Sequence, residues 1–204
     1  MSEHRLTNEE RLGKAEALAE HRFADRALLL ESLTHRSFAN ENRTRVTNDN
    51  DRLEFLGDAV LDLIVAELIF DNYPKLASGE LTKLRASVVN EGALATAARA
   101  NGLGELLLLG VGERKTAGDG KDSLLADAYE ALLGAVYLDG GIEAARRMVT
   151  RDLALAVCAE SRTIGAQDRK SLLQEFCAKR HSSFPVYRII DRSGPDHATQ
   201  YRVE

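Results

Sequence analysis

This chain of 204 residues has two cysteines, five histidines and no apolar run of membrane-spanning length. Cys158 and Cys177 stand apart without metal-ligand spacing. That excludes a disulfide framework and a zinc–thiolate site, and it points to a reducing cytoplasm. The histidines form no H-E-x-x-H or paired pattern, which argues against zinc and di-iron chemistry. The most apolar stretches, "LLLLG" and "AVLDLIVAELIF", are too short or too charged to cross a bilayer, so no membrane partner is expected. The first residues, "MSEHRLTNEE", are polar and acidic and do not read as a signal peptide. Positive charge is also scarce, with a net charge of −5. Residues 161–204 hold eight Lys/Arg and five Asp/Glu, which leaves −8 on residues 1–160 and +3 on the tail. A mildly basic tail on an acidic body is a weak pointer to a polyanionic partner.

What is present is mostly helix. At 44% hydrophobic and 29% charged residues, the composition is that of a soluble globular protein. Thr7 with Glu10 predicts a capping box for a helix reaching about residue 20. "DRALLLESLTHRSF" predicts a second helix capped by Asp25, and the polar "ANENRTRVTNDN" leads to a long helix capped by Asn48 or Asn50. Ser78 reads as the cap of "GELTKLRASVV", and Asn90 as that of "EGALATAARA", which stops at Asn101-Gly102. "GVGERKTAGDGKD" reads as an exposed loop. Two further helices follow, "SLLADAYEALLGAVYL" and "IEAARRMVTRDLALAVCAE", separated by Asp139-Gly140-Gly141. The expectation is an all-α domain over 1–160 and a linker over 161–167. A partial α+β unit over 168–204 then holds one helix, "DRKSLLQEFCAKR", and two strands, "FPVYRIIDRSG" and "HATQYRVE".

The long helix carries an oddity. In "NDNDRLEFLGDAVLDLIVAELIF" the residues Leu53, Leu56, Val60, Leu63 and Ile64 form one apolar face at about 100° per residue. Asp51, Glu54, Asp58 and Asp62 form a stripe on the other side, with no basic partner beyond Arg52. A solvated helix face would show the same stripe. "SLLADAYEALLGAVYLDG" repeats the pattern: Asp127 and Glu130 stand at i and i+3, opposite Leu125, Ala128, Leu132 and Val136. Gly134 lies on the acid side, and a mid-helix glycine is easiest to justify where another helix comes close. If the two helices pack together, up to four carboxylates converge. Such a group needs a cation or retained protons, and all-oxygen ligands favour Mg²⁺ or Mn²⁺. The chemistry this suggests is phosphodiester hydrolysis. Phe55 lies on the acid side too, either folded into a neighbouring helix or presented to a second subunit.

"DRLEFLGDAVLDL" closely resembles the signature of the ribonuclease III family. So do "LTHRSF", "LTKLRASVVN" and "SLLADAYEALLGAVYLDGG", in the family's order, over essentially residues 10–160. The tail resembles the first half of a double-stranded-RNA-binding domain. The resemblance implies an endoribonuclease that cuts double-stranded RNA as a homodimer in the cytoplasm, in ribosomal RNA processing and messenger turnover. Its products would have 5′-phosphates, 3′-hydroxyls and short 3′ overhangs. It implies Mg²⁺, or Mn²⁺ in its place, held by Glu54, Asp58, Asp127 and Glu130, with Asp58 and Glu130 closest to the chemistry. It places Phe55 at the dimer interface and Gln174, Glu175 and His197 on the RNA minor groove.

Three departures from the family stand out. Asp51 replaces the usual Glu, and Ser78 stands where many members have Glu, with Glu80 as an accessory acid two residues on. Altered rate or cleavage preference is expected from these, not loss of function. The third strand and the Lys-Lys helix of the family's RNA-binding domain are not in this sequence, so weaker and less salt-dependent RNA binding is expected. Two alternatives remain at this stage: a non-catalytic RNA-binding scaffold of the same fold, and another helical metal-dependent phosphohydrolase acting on nucleotides.

Overall fold

The computed structural model describes residues 6–44, 48–116, 120–167, 188–194 and 200–203. The chain divides into two units at Ser161/Arg162. Helix α1 (Asn8–Ala19) starts as expected, with the Thr7 hydroxyl accepting from the Glu10 N–H and the Glu10 carboxylate from the Thr7 N–H. Asp25 caps α2 (Arg26–Ser32) by accepting from the amides of Ala27 and Leu28.

The single helix expected over 25–38 is instead two. Thr34 is extended and bridges Leu108 in parallel: the His35 N–H donates to the Leu108 carbonyl at 3.1 Å, and the Leu108 N–H to Leu33 at 2.8 Å. A new helix, α3 (Arg36–Glu41), begins there, with the His35 Nδ1 accepting from the Ser37 N–H. The Thr34 carbonyl also accepts from the Asn50 N–H at 2.9 Å, so the break is fastened to the start of α4 (Asp51–Asn72). Asn50 is the cap residue of α4, one of the two expected, although its side chain makes no capping bond.

Helices α5 (Ser78–Val88) and α6 (Glu91–Ala100) follow. Ser78 is not the cap of α5. It is the first helical residue, Ala77 occupies the cap position, and the Glu80 carboxylate accepts from the Ala77 N–H at 2.7 Å. Asn90 caps α6 through the Ala93 N–H, and α6 ends at Asn101 before Gly102, whose φ of 70° favours glycine. A short 3₁₀ turn (Leu103–Leu106) leads on. The predicted loop over 110–122 contains a helical turn, α7 (Val111–Lys115), held where the Glu41 carboxylate accepts from the Val111 N–H at 3.0 Å.

Helix α8 (Asp122–Gln167) has two halves that meet at Gly141, where φ is 76°. The Tyr129 hydroxyl donates to Asp152 at 3.1 Å. In a straight helix those residues would stand about 35 Å apart, so the chain reverses at the glycine. The first half is the centre of the core: Leu124 to Ala126, Ala128, Tyr129, Ala131 to Leu133, Ala135 and Val136 are all buried. Residues 161–167, read as a linker, continue the second half as helix.

Asp139 anchors this reversal. Its carboxylate pairs with His21 Nε2 at 2.7 Å and accepts from the amides of Ala24 and Asp25 at 3.1 and 2.9 Å. These bonds, together with the side-chain bond from His21, hold its carboxyl below the ordinary aspartate range against the opposing pull of burial. Asp139→Ala leaves the donors unpaired and is expected to lower stability by about 2 kcal/mol, read from the urea midpoint.

In the second unit, β1 (Ile189–Ser193) pairs antiparallel with β2 (Gln200–Val203), with Arg192 opposite Tyr201 and an irregularity between Ile189 and Asp191. These are the two strands expected. The expected helix over 168–180, with Gln174 and Glu175, and His197 lie outside the described residues.

Candidate active site

Two glycines bring α4 and the first half of α8 into backbone contact. A Cβ at Gly57 would overlap the carbonyl oxygen of Glu130 and lie 3.1 Å from its Cα. A Cβ at Gly134 would overlap the Leu53 carbonyl oxygen and lie 3.2 Å from the Gly57 amide nitrogen. The close approach inferred for Gly134 is therefore present, and Gly57 is its counterpart on the acidic helix. At this crossing the acids of both helices meet: carboxylate oxygens of Glu54, Asp127 and Glu130 all lie within 4.8 Å of one another.

The three carboxylates are half-buried, and their electrostatics follow from that. Burial pushes the Glu130 carboxyl up to about 8, with Asp58, Glu54 and Asp127 adding repulsion. Burial also raises Glu54, helped by Asp127 and Asp51. Asp127 is raised by burial, while Arg36 pulls it down and Glu91 adds to the rise. Glu130 has no ion pair among the described residues. A site in which burial and mutual repulsion both disfavour the charged acids is suited to receive a cation. Octahedral Mg²⁺ or Mn²⁺ places ligand oxygens about 2.9–4.2 Å apart, so the trio fits after a small tightening.

The other expected residues distribute around this centre. Asp58 lies outside the trio, exposed, yet its charge acts on Glu130 more strongly than any other. Asp51 is exposed and sits 3.9 Å from the Arg36 guanidinium. Glu80 is engaged in the α5 cap and is not among the converging acids. Asp62, beyond the site, pairs with Arg85 at 3.5 Å. Phe55 is 80% exposed, not folded into the core.

The buried stripe of α4 differs from the expected one. Gly57, Leu61, Val65 and Ile69 join Leu53, Val60 and Ile64 inside, while Leu63 is 51% exposed and Leu56 half-buried. Phe55, Ala59, Leu63, Ala66 and Phe70 instead share an outward face within about 80° of the wheel.

A cavity of about 200 Å³ opens beside the acids, lined by His35, Arg36, Asn50, Asp51, Glu54 and Asp127. His35, Arg36 and Asn50 were not foreseen as site residues, although "THRSF" carries two of them. They arrive because the Thr34–Leu108 bridge and the Asn50–Thr34 bond place the start of α3 beside the start of α4. Burial holds the His35 imidazole below its ordinary value, against the opposing pull of Glu113.

Comparison with known proteins agrees with this geometry. Residues 25–157 match the family model described as Ribonuclease-III-like. Ribonuclease 3 of Symbiobacterium thermophilum is 46% identical over 190 residues, covering 93% of this chain and 79% of its own. Ribonuclease 3 of Syntrophotalea carbinolica is 44% identical over 182 residues, or 89% of this chain and 78% of that protein. A structure of the nuclease domain of ribonuclease III from Campylobacter jejuni aligns with a TM-score of 0.63 at 41% identity, covering 70% of this chain and 99% of that one. The sequence signature, the helical fold and the acids gathered at the α4–α8 crossing thus converge, and the chain is an enzyme of the ribonuclease III family.

Proposed function

We propose that this protein is a Mg²⁺-dependent endoribonuclease that hydrolyses phosphodiester bonds in double-stranded RNA. The observation that supports this most is the trio Glu54, Asp127 and Glu130, drawn together from two helices with the Glu130 carboxyl pushed up to about 8. Glu54, Asp58, Asp127 and Glu130 hold the ion, and Mn²⁺ substitutes for Mg²⁺. Bound there, the ion supplies positive charge to the phosphate oxygens and makes a bound water more acidic. Glu130 and Asp58 position the attacking water and the scissile phosphate. The attack breaks the P–O3′ bond, leaving a 5′-phosphate on one fragment and a 3′-hydroxyl on the other.

The protein acts as a homodimer, with each subunit cutting one strand and short 3′ overhangs resulting. The outward apolar face of α4 supports this, since Phe55, Leu63 and Phe70 are 80%, 51% and 70% exposed. The aligned Campylobacter jejuni structure is described as flexible in a region involved in dimer formation. Phe55→Glu is expected to weaken dimerisation on the order of 100-fold, seen as a shift to monomer in light scattering. Double-strand cuts should fall with it.

Gln174, Glu175 and His197 contact the RNA minor groove, and residues 168–204 belong to a double-stranded-RNA-binding domain that follows the linker at 161–167. Asp51 and Glu80 tune the site as accessory acids. The setting is ribosomal RNA processing and messenger turnover in the cytoplasm. Among the described residues no helix is long and apolar enough to cross a membrane. The test is to map product ends from a labelled duplex and from each single strand alone. Staggered 3′ overhangs from the duplex only are expected. Bound but uncut duplex would identify a scaffold instead.

A further inference from the structure

We propose that Arg36 is a substrate-binding residue that takes a phosphate oxygen of the RNA strand at the mouth of the acidic cavity. This rests on the nuclease function above and adds a residue to it. Arg36 is the first residue of α3 and forms part of the cavity wall beside Asp51, Glu54 and Asp127.

Its attachment is looser than that of the other paired arginines described in this unit, of which only Arg85, 3.5 Å from Asp62, is also held by a single long pair. Arg26 is gripped by Glu9 and Glu16 at 2.8 and 2.9 Å, Arg99 by Asp122 at 2.6 Å, Arg146 by Glu67 at 2.7 Å and Arg151 by Asp152 at 2.7 Å. Arg36 has one ion pair among the described residues, a loose one of 3.9 Å to Asp51, and its side chain is 65% exposed. A guanidinium beside three carboxylates that grips none of them acts on Glu54 and Asp127 through space, drawing both downward.

That placement has a consequence for a phosphate. A cavity walled by acids repels a phosphodiester, and a cation among the carboxylates would offset much of the negative charge that attracts Arg36. Its fork of N–H donors then becomes available at the cavity mouth, with a geometry matched to phosphate oxygens. His35 is less suited to this role, because its Nδ1 is engaged with Ser37 at the start of α3 and burial disfavours its charged form.

Two effects of Arg36→Ala therefore run in opposite directions. Loss of a competing positive charge tightens metal binding, while loss of a phosphate contact weakens RNA binding. The test uses the full chain and reads both. Mn²⁺ affinity is measured by calorimetry without RNA. KM and kcat are measured on duplex RNA at saturating Mg²⁺, with Glu130 intact, and the salt dependence is read from kcat/KM under the same conditions.

For Arg36→Ala we expect tighter Mn²⁺ binding, a KM raised about tenfold with a smaller change in kcat, and a log–log salt slope shallower by about one. Arg36→Lys should restore the slope but only part of the KM, since it returns the charge without the fork. An Arg36→Ala chain with wild-type KM and salt slope, or one in which Mn²⁺ affinity and KM both deteriorate, overturns the proposal. Wild-type protein that leaves the duplex whole would overturn the nuclease function itself, a separate result.

Discussion

Glu130→Gln is expected to abolish cleavage, by about three orders of magnitude or more, and to make the metal-free protein more stable above neutral pH. The first effect follows from its place at the α4–α8 crossing, where it supplies one of three converging carboxylates. The second follows from its titration. Folded, the Glu130 carboxyl titrates at about 8, against 4.5 for the unperturbed group. The folded state therefore holds this proton more tightly than the unfolded state. The stability this contributes is present in full below pH 4.5 and is lost as pH rises through about 8. Glutamine cannot ionise and escapes that loss. At a half-buried site open to solvent screening, the gain for the variant at pH 8 is about 1–2 kcal/mol.

Thermal melts in chelator across pH 5–9 check this, with wild type falling more steeply than the variant toward the alkaline end. Adding Mg²⁺ should then raise the wild-type midpoint and leave the variant nearly unmoved. Parallel pH profiles for the two proteins would show that Glu130 is an ordinary surface acid. Deprotonation on binding also means that wild-type metal affinity rises with pH over the same window.

Gly57→Ala is expected to be the most destabilising small substitution in the nuclease unit, at about 2–4 kcal/mol. In an exposed helix the same change would stabilise by roughly 0.5–1 kcal/mol. Here the new methyl would enter the Glu130 carbonyl oxygen, and backbone cannot swing away as a flexible side chain can. The helices must separate, which also parts Glu54 from Glu130 and weakens metal binding. Gly13→Ala is the control. Gly13 lies within α1 with nothing within 4 Å of its added Cβ, so a small gain is expected. Urea midpoints and Mn²⁺ titrations on both variants separate the packing effect from helix propensity. A Gly57→Ala protein as stable as wild type would mean that the helices do not touch as described.

The acidic pairs were legible in the sequence because spacing along one helix is a local property. Glu54 and Asp127/Glu130 each stand on one side of an apolar helix, and Gly134 marks where a neighbour must come close. Gly57 makes the same statement on α4 but is easily passed over inside "FLGDA", where flanking apolar residues dominate the pattern. Long-range pairings were not legible. The break between α2 and α3 depends on Leu108, and nothing in "LESLTHRSF" reveals a partner so far along the chain. It is this break that brings His35 and Arg36 to the cavity. Leu63, read as part of the apolar face with Leu53 and Val60, is exposed instead, because composition on a helix wheel does not tell a buried apolar residue from an exposed one. Ser78 was misplaced by one residue because Glu80 fixes the helix start through the Ala77 amide, a bond that needs no cap side chain. The particular roles of the acids came from family resemblance, not from spacing.

The most direct test of a cation-dependent site at the α4–α8 crossing is single-turnover cleavage of a duplex of roughly 30 base pairs, at low salt, across a Mg²⁺ titration. The expected result is no cleavage in chelator, a rate that rises and saturates with Mg²⁺, and products with 5′-phosphates and staggered 3′ overhangs. Cleavage that persists in chelator, or a duplex left whole at saturating Mg²⁺ and Mn²⁺, would contradict it.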